Sequence, residues 1–364
     1  MPPTTPAART APAKRKRGEG QWKLGYREPL NPNERTKRDD DGLNVRARIE
    51  NIYAKRGFDS IDPADLRGRM RWWGLYTQRK PGIDGGRTAA LEPEELDDRY
   101  FMLRVRIDGG ALTTDQLRLL GEISRDHARD TADVTDRQNI QYHWIEIEDM
   151  PAIWQKLESQ GLITTEACGD TPRVNLGSPV AGNAAGDPID PRPAIDAIRE
   201  RYIGSKEFSN LPRKFKTAIS WQQDVAHEVN DVSFIGVEHP EHGPGFDVWA
   251  GIVSIFRDYG YRRLRHRARI KFLVADWGAV EFRRVLEEEY LHRPLVDGPA
   301  PAIPAAPIDH VGVHKQADGR NYVGVAPASG RVSGTTLIEL ADAVEEARST
   351  RVRLTPQQKI VVLD

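Results

Sequence analysis

The chain has 364 residues, enough to bury a sizeable core and, by size, to form two or three structural units. Its 53 lysines and arginines balance 54 aspartates and glutamates, so no whole-chain field draws it to nucleic acid or an anionic membrane, and any anion binding must be local. The single cysteine, Cys168, excludes an internal disulfide framework and falls short of the about four thiolates that an iron-sulfur cluster takes.

In chain order, residues 1–41 read as a disordered arm, rich in Pro, Thr, Ala, Lys and Arg and carrying the basic run KRKRGEG. Neither a secretory leader nor a bilayer-spanning apolar run is visible, so a cytoplasmic protein is expected. Order is expected from LNVRARIENIYAKRG, with Val45, Ile49 and Ile52 on one helical face. Further helices are expected at TTDQLRLLGEISRDHA, PAIWQKLESQG, PAIDAIRERYI, AVEFRRVLEEEYL and TTLIELADAVEEA. Strands are expected at YFMLRVRI, NIQYHWIEI, FKTAISW, VSFIGVE, NYVGVA and KIVVL. They alternate without βαβ regularity, which gives an α+β class. The Pro and Ala rich stretch 295–309 reads as a stiff connector. Across it lies an ungapped repeat at an offset of 220, matching Val105 with Val325, Gly110 with Gly330, Leu117 with Leu337, Leu120 with Leu340, Thr135 with Thr355, Gln138 with Gln358 and Ile140 with Ile360. The matches share a strand, turn, helix, strand, T-x-x-Q turn, strand pattern, which is read as a duplicated half-domain paired with its copy.

Several short motifs place cations beside Gly or Pro turns. Arg104 and Arg106 lie two apart on a strand and project from one face; Arg137 sits at a turn; Lys214 and Lys216 share a face opposite Arg213 and Phe215; Arg173 lies in a loop near Cys168. Singly each fits a solvated sheet face. Together they fit a site for a polycarboxylate or small oxyanion. His239 and His242 have a spacing seen in metal sites but lack further ligands, so a loop-ordering role is favoured. RWWGLY offers Trp72, Trp73 and Tyr76 for packing or for a pocket wall. YGYRRLRHRARIKF is either a patch for an acidic partner or a solvated helix face.

The motifs TDRQNIQYHW, CGDTPRVNLGSPVAG, LPRKFKTAIS, QDVAHEVNDVSFIGVEHPEHGPG, IFRDYGYRRLRHRARIKF and GVAPASGRVSG resemble the ferredoxin-dependent sulfite and nitrite reductases, nearest the actinobacterial sulfite reductase branch, over residues 42–364. The resemblance implies a ferredoxin-like half-domain within 42–155, a sirohaem-binding α/β lobe at 156–294 and a second, pseudo-two-fold-related half-domain at 310–364. It implies sirohaem coupled to a [4Fe-4S] cluster, ferredoxin as donor, and six-electron reduction of sulfite, or alternatively nitrite, by a monomer. By resemblance, Arg104, Arg106, Arg137, Arg173, Lys214 and Lys216 surround the carboxylate-ringed sirohaem and its anion site. Arg173, Lys214 and Lys216 would hold sulfite and relay protons, and Arg137 would grip the macrocycle. Arg104 and Arg106 compete for the substrate-facing place. Tyr76 and Cys168 match positions that can be joined by a thioether; the competing reading of Cys168 is a small buried hydrophobe.

Two departures from the family pattern stand out. FDVWAG, a strand in the family, runs at Gly251 directly into IVSIF, as though about thirty residues were deleted. The resemblance also stops at Asp364, before the lobe with the cluster cysteines, so the isolated chain is expected to be a truncated, inactive form. A non-catalytic sirohaem or anion-binding remnant is the competing reading. An RNA-binding protein is disfavoured by the near-neutral charge and the lack of an aromatic RNP-type strand. An exposed sheet edge and apolar surface beyond the connector predict poor solubility.

Overall fold

A computed structural model of the chain describes residues 31–84, 87, 90–91, 95, 97–184, 190–236, 247–298 and 309–364. Its first element, α1 (Pro32–Asp39), begins where the Asn31 side chain accepts from the Glu34 amide and Pro32 takes the first helical position. The arm expected to reach residue 41 therefore gives way to a helix ten residues earlier. Charge, not an apolar face, holds it: Lys37 Nζ lies 2.6 Å from Glu34 and 3.2 Å from Asp170, and Glu34 lies 2.9 Å from Arg262, all four side chains buried. A search for apolar periodicity passes over such a helix.

Next, α2 (Val45–Arg48) and α3 (Ala54–Arg56) flank a π-helical turn, Ile49–Tyr53. The wider turn moves the buried line to Val45, Ile49 and Tyr53, leaving Ile52 38% exposed. After α4 (Pro63–Arg67) come β1 (Leu75–Arg79), β2 (Asp97–Val105), β3 (Ala111–Thr113), α5 (Thr114–His127), β4 (Ala132–Val134), β5 (Ile140–Ile145) and α6 (Met150–Ser159). A capping box of Thr113 and Gln116 opens α5, whose Leu117, Leu120 and Ile123 enter the core.

The middle of the chain carries α7 (Arg192–Tyr202), the parallel pair β6 (Thr217–Ser220) and β7 (Val232–Ile235), then α8 (Asp247–Tyr259) and α9 (Ile270–Val285). Here the expected strand at FDVWAG is corrected: from Asp247 the backbone is helical and continues through Gly251 into IVSIF. Trp249, Val253 and Phe256 fall on one helical face and pack with Phe215 in a separate core, where the Phe215 and Phe256 rings stack at 5.7 Å. Residues 299–308 of the connector, and both His239 and His242, lie outside the described residues.

The last part contains β8 (Gly312–Lys315), β9 (Asn321–Val325), β10 (Arg331–Val332), α10 (Gly334–Glu346), β11 (Arg351–Leu354) and β12 (Ile360–Leu363). These elements repeat the first half-domain at the predicted offset. The sheets, however, are shared: one runs β1-β2-β5-β4-β10 and the other β3-β11-β12-β9-β8. Each half lends a short strand to the other, Arg331 pairing with Asp133 and Thr113 with Arg351. The exchange is nearly two-fold symmetric. Gln138 Nε2 donates to the Leu354 carbonyl at 2.7 Å, and Gln358 Nε2 donates to the Val134 carbonyl at 3.1 Å. Gly110 and Gly330 sit beside these contacts at φ +70 and +75, where a Cβ would come within 2.4 and 2.5 Å of the same two carbonyls.

The symmetry stops at the outer face. Leu103 and Val105 of β2 are fully buried, whereas their counterparts Val323 and Val325 are 40% and 36% exposed and neighbouring Val313 is 67% exposed. A buried polar clip joins the second half-domain to the middle of the chain. His310 bridges Asp224 at 2.9 Å and Tyr322 at 3.0 Å, while Ser178 and Gln357 donate to the Asp224 carboxylate and carbonyl.

Candidate active site

The loop that follows α6 is laid down beside β6. The Arg173 amide donates to the Phe215 carbonyl at 2.8 Å, and bridges pair Pro172 with Phe215 and Leu176 with Ala218. This register brings Arg173 next to the LPRKFK segment. There Phe215 is buried while Lys214 and Lys216 emerge half-buried on the opposite face, as the alternation predicts. The Lys216 amide donates to Asp231 at 2.8 Å, and Arg269 grips the same carboxylate at 2.7 Å, which fixes the segment at its far end.

Arg104 reaches the site from β2. Its Nη1 donates to the Cys168 sulfur at 3.2 Å and its Nη2 to Gln141 at 2.6 Å. Arg137 arrives from the T-x-x-Q turn, donating to Asn230 at 2.8 Å and to the Val174 and Thr217 carbonyls. Arg106 also points under the Cys168 loop, but its donors are taken: Nε and Nη2 hold Asp108 at 2.7 and 3.0 Å, and the rest go to the Glu166, Pro172 and Arg173 carbonyls. It is buried and holds the loop rather than facing a ligand, which leaves Arg104 as the member of the pair turned to the site.

These cations lie close enough to repel one another. Burial, then Arg173, Lys216, Arg269 and Arg213, push the Lys214 ammonium down to about 8. Burial and the neighbouring Arg173 and Arg104 push Arg137 down to about 9. Lys216 is lowered by burial and by Arg137. The Nε–H groups of Arg104, Arg137 and Arg173 are buried without an acceptor, and the Arg173 guanidinium has one long contact, 3.5 Å, to the Ala167 carbonyl. Unmatched charge and unmatched donors on one wall are the complement of a polyanion. They fit the carboxylates of a sirohaem together with a small oxyanion.

Tyr76, on β1, borders this wall. Burial raises its phenol, the Cys168 sulfur adds to the rise, and Arg173, Arg71 and Arg104 oppose it. Arg71 stands over the Tyr76 ring, 5.4 Å from its centroid. Two residues before Cys168, Glu166 is fully buried with no aligned donor on either carboxyl oxygen. Burial lifts it to about 8, with Arg106 and the Gly204 amide pulling only part of the way back.

YGYRRLRHRARIKF is not a single solvated face: Arg263, His266 and Arg267 are exposed, while three of its arginines turn inward. Arg262 is buried against Glu34 and Asn210, Arg265 holds Asp170 at 2.8 Å, and Arg269 holds Asp231, so the stretch ties α1, the Cys168 loop and the lysine segment together. Asp170, drawn well below the ordinary carboxylate range against its own burial by Lys37, Arg265 and Arg213, is the hub of that network. Sequence reading gave no role to Asp108, Asp170 and Asp231, although Asp170 and Asp231 lie inside the quoted motifs and Asp108 directly follows YFMLRVRI. An iron-sulfur cluster does not fit: Cys168 is the one cysteine, and among the described residues no three His, Cys, Asp or Glu side chains converge to hold a metal ion.

Comparison with known proteins agrees with this layout. The family described as nitrite/sulfite reductase ferredoxin-like half domain matches residues 93–160 and 314–364, the two halves of the repeat. The nitrite and sulphite reductase 4Fe-4S domain matches 168–251 and 247–295, two stretches that meet where α8 replaces the expected strand. Sulfite reductase [ferredoxin] 2 of Mycolicibacterium paratuberculosis is 59% identical over 98% of this chain and 69% of its own length. Ferredoxin–nitrite reductase of Synechococcus elongatus is 31% identical over 92% of this chain and 69% of its own length. A solved structure of the Mycobacterium tuberculosis NirA protein superposes with a TM-score of 0.92 at 58% identity, covering 95% of this chain and 69% of that one. Repeat, cationic wall and matches together place the chain in the nitrite and sulfite reductase family.

Proposed function

We propose that this chain forms the sirohaem- and sulfite-binding part of a ferredoxin-dependent sulfite reductase. The observation that carries the reading is the wall of Arg104, Arg137, Arg173, Lys214 and Lys216, where cations crowd one another against the partial relief of Asp136 and Asp231 and where the three arginine Nε–H groups are buried without an acceptor among the described residues. Sulfite is preferred to nitrite because relatives named for sulfite reach 59% identity and those named for nitrite 31% to 32%.

Arg104 and Arg137 would hold macrocycle carboxylates through bidentate forks, and Arg173, Lys214 and Lys216 would hold sulfite. Bound sirohaem would supply the redox-active iron. Each sulfite oxygen leaves as water and so consumes protons. Lys214, pushed down to about 8, is charged at neutral pH yet gives up a proton more readily than an ordinary lysine, which suits it to hold the anion and then protonate it. Tyr76 stands in the field of Cys168, Arg173, Arg71 and Arg104 at the edge of this wall, next to the cysteine with which it would form the thioether. With one cysteine available, no path for ferredoxin electrons is assigned to these residues.

The test is coexpression in a sirohaem-producing host, followed by absorption spectroscopy and sulfite titration of the purified chain. Stoichiometric sirohaem with a sulfite-dependent spectral change is expected, the spectral change lost in a Lys214→Met, Arg173→Met double variant and the sirohaem itself in an Arg104→Met, Arg137→Met double variant. A chain that binds no sirohaem, or binds it equally well without those cations, would sink the reading. Tight binding without turnover would identify the chain as a sirohaem- and anion-binding module.

A further inference from the structure

Outside the inner wall, a small cleft opens to solvent between α1 and the Cys168 loop, lined in part by Lys37, Arg71, Trp72, Gly169, Asp170 and Arg265. Three of these side chains are cations and one is an anion. Asp170 is already committed, holding Arg265 at 2.8 Å and Lys37 at 3.2 Å, and Lys37 is matched again by Glu34 at 2.6 Å. Among the described residues the Arg71 guanidinium touches no carboxylate. Its contact is the face of Tyr76, at 5.4 Å, and Tyr76 belongs to the inner wall. Arg71 is thus shared between a solvent-facing cleft and the buried cations. Its charge is unmatched on the cleft side, where Asp170, with Glu34 behind Lys37, opposes three cations.

We propose that this cleft is an outer binding site for a small oxyanion, and that Arg71 passes the anion from solvent toward the wall of Arg173, Lys214 and Lys216. A guanidinium held by a ring face keeps its N–H groups free for a ligand, and a weakly hydrated fork exchanges oxyanions readily. A funnel of like charge raises the local anion concentration and the rate of capture. The inference rests on reading the inner wall as an anion site, and the experiment separates the two.

Crystals of the chain soaked in sodium iodide would be examined by anomalous diffraction, for the wild type, Arg71→Gln and Arg71→Lys. Iodide in the cleft beside Arg71 and at the inner wall is expected in the wild type, with the cleft peak lost in Arg71→Gln, kept in Arg71→Lys, and the inner peak retained in all three. Iodide at the inner wall alone overturns this inference and leaves the proposed function standing. Iodide in the cleft alone removes the inner site instead, and a cleft peak that survives Arg71→Gln overturns the role of Arg71. With the sirohaem-loaded chain, sulfite association followed by absorption should slow about tenfold in Arg71→Gln with an unchanged dissociation constant, since an outer site alters the path and not the end point. A changed dissociation constant with an unchanged association rate would place Arg71 in the inner site and refute the passage.

Discussion

Replacing Glu166 with Gln should stabilise the protein at neutral and alkaline pH and leave it unchanged in acid. In the folded chain burial lifts this carboxyl from 4.5 to about 8. Between those values the unfolded chain releases the proton and the folded chain retains it. Folding is therefore fully favoured by this group below pH 4.5, and the advantage drains away as pH rises toward 8. At about 1.4 kcal/mol per pH unit the interval from 4.5 to about 8 sets an upper limit of about 5 kcal/mol, and about 3 kcal/mol at pH 7. Gln has nearly the same shape and carries no proton to lose. Urea unfolding of both proteins from pH 4.5 to 8.5, followed by tryptophan fluorescence, should give coincident stabilities at the acid end and a gap that widens steadily in favour of Glu166→Gln. Parallel profiles, or a gap that opens toward acid, would refute the claim that Glu166 is buried as an uncharged acid.

Three further outcomes follow from the same geometry. Arg106→Met leaves the buried Asp108 carboxylate with the Asn175 donors but no counter-charge and should cost about 3–5 kcal/mol in urea unfolding, whereas Arg104→Met should barely change stability while weakening sirohaem uptake; equal stability losses would contradict the separate tasks given to the two arginines. Sulfate affinity, read by calorimetry, should fall about tenfold as Lys214 loses its charge through pH 8, and Lys214→Arg should abolish that fall; a wild-type affinity flat from pH 7 to 9 would show that Lys214 is not at the anion site. Gln138→Ala removes contacts to Gly177 and Leu354, while Gln358→Ala removes one to Val134. The first should cost about 2–3 kcal/mol and the second about 1 kcal/mol; a reversed order in thermal unfolding would argue against unequal locks across the pseudo-two-fold.

Periodic features of the fold were legible in the sequence. The 220-residue offset was readable because Gly110, Gln138 and their partners occupy turns that tolerate few substitutes, and because α5 and α10 carry plain helical periods. Strand exchange was not readable: β3 and β10 are three and two residues long, and their pairing depends on the partner half rather than on local pattern. Helix α1 escaped because it buries Glu34 and Lys37 in place of apolar residues. Helix α8 was missed for the opposite reason. Its own spacing of Trp249, Val253 and Phe256 spells a helix, and the family resemblance argued for a strand. At the site, the cationic motifs marked the wall, but nothing in YFMLRVRID told Arg104 from Arg106, because that distinction is made by Asp108 and three loop carbonyls folded around one of them. The basic run after α8 looked solvated for the same reason, since Glu34, Asp170 and Asp231 come from distant segments.

Strand exchange also sets a clock on the nascent chain. When β4 leaves the ribosome its outer edge has no partner, and Arg331, which pairs with Asp133, is still 198 residues away. At roughly 5–20 residues per second that wait lasts about 10–40 s, during which the first sheet presents an open edge and β3 has nothing to join. Neither half-domain can finish alone, so the translation pause, and whatever shields that edge during it, governs how much of this protein reaches the folded state.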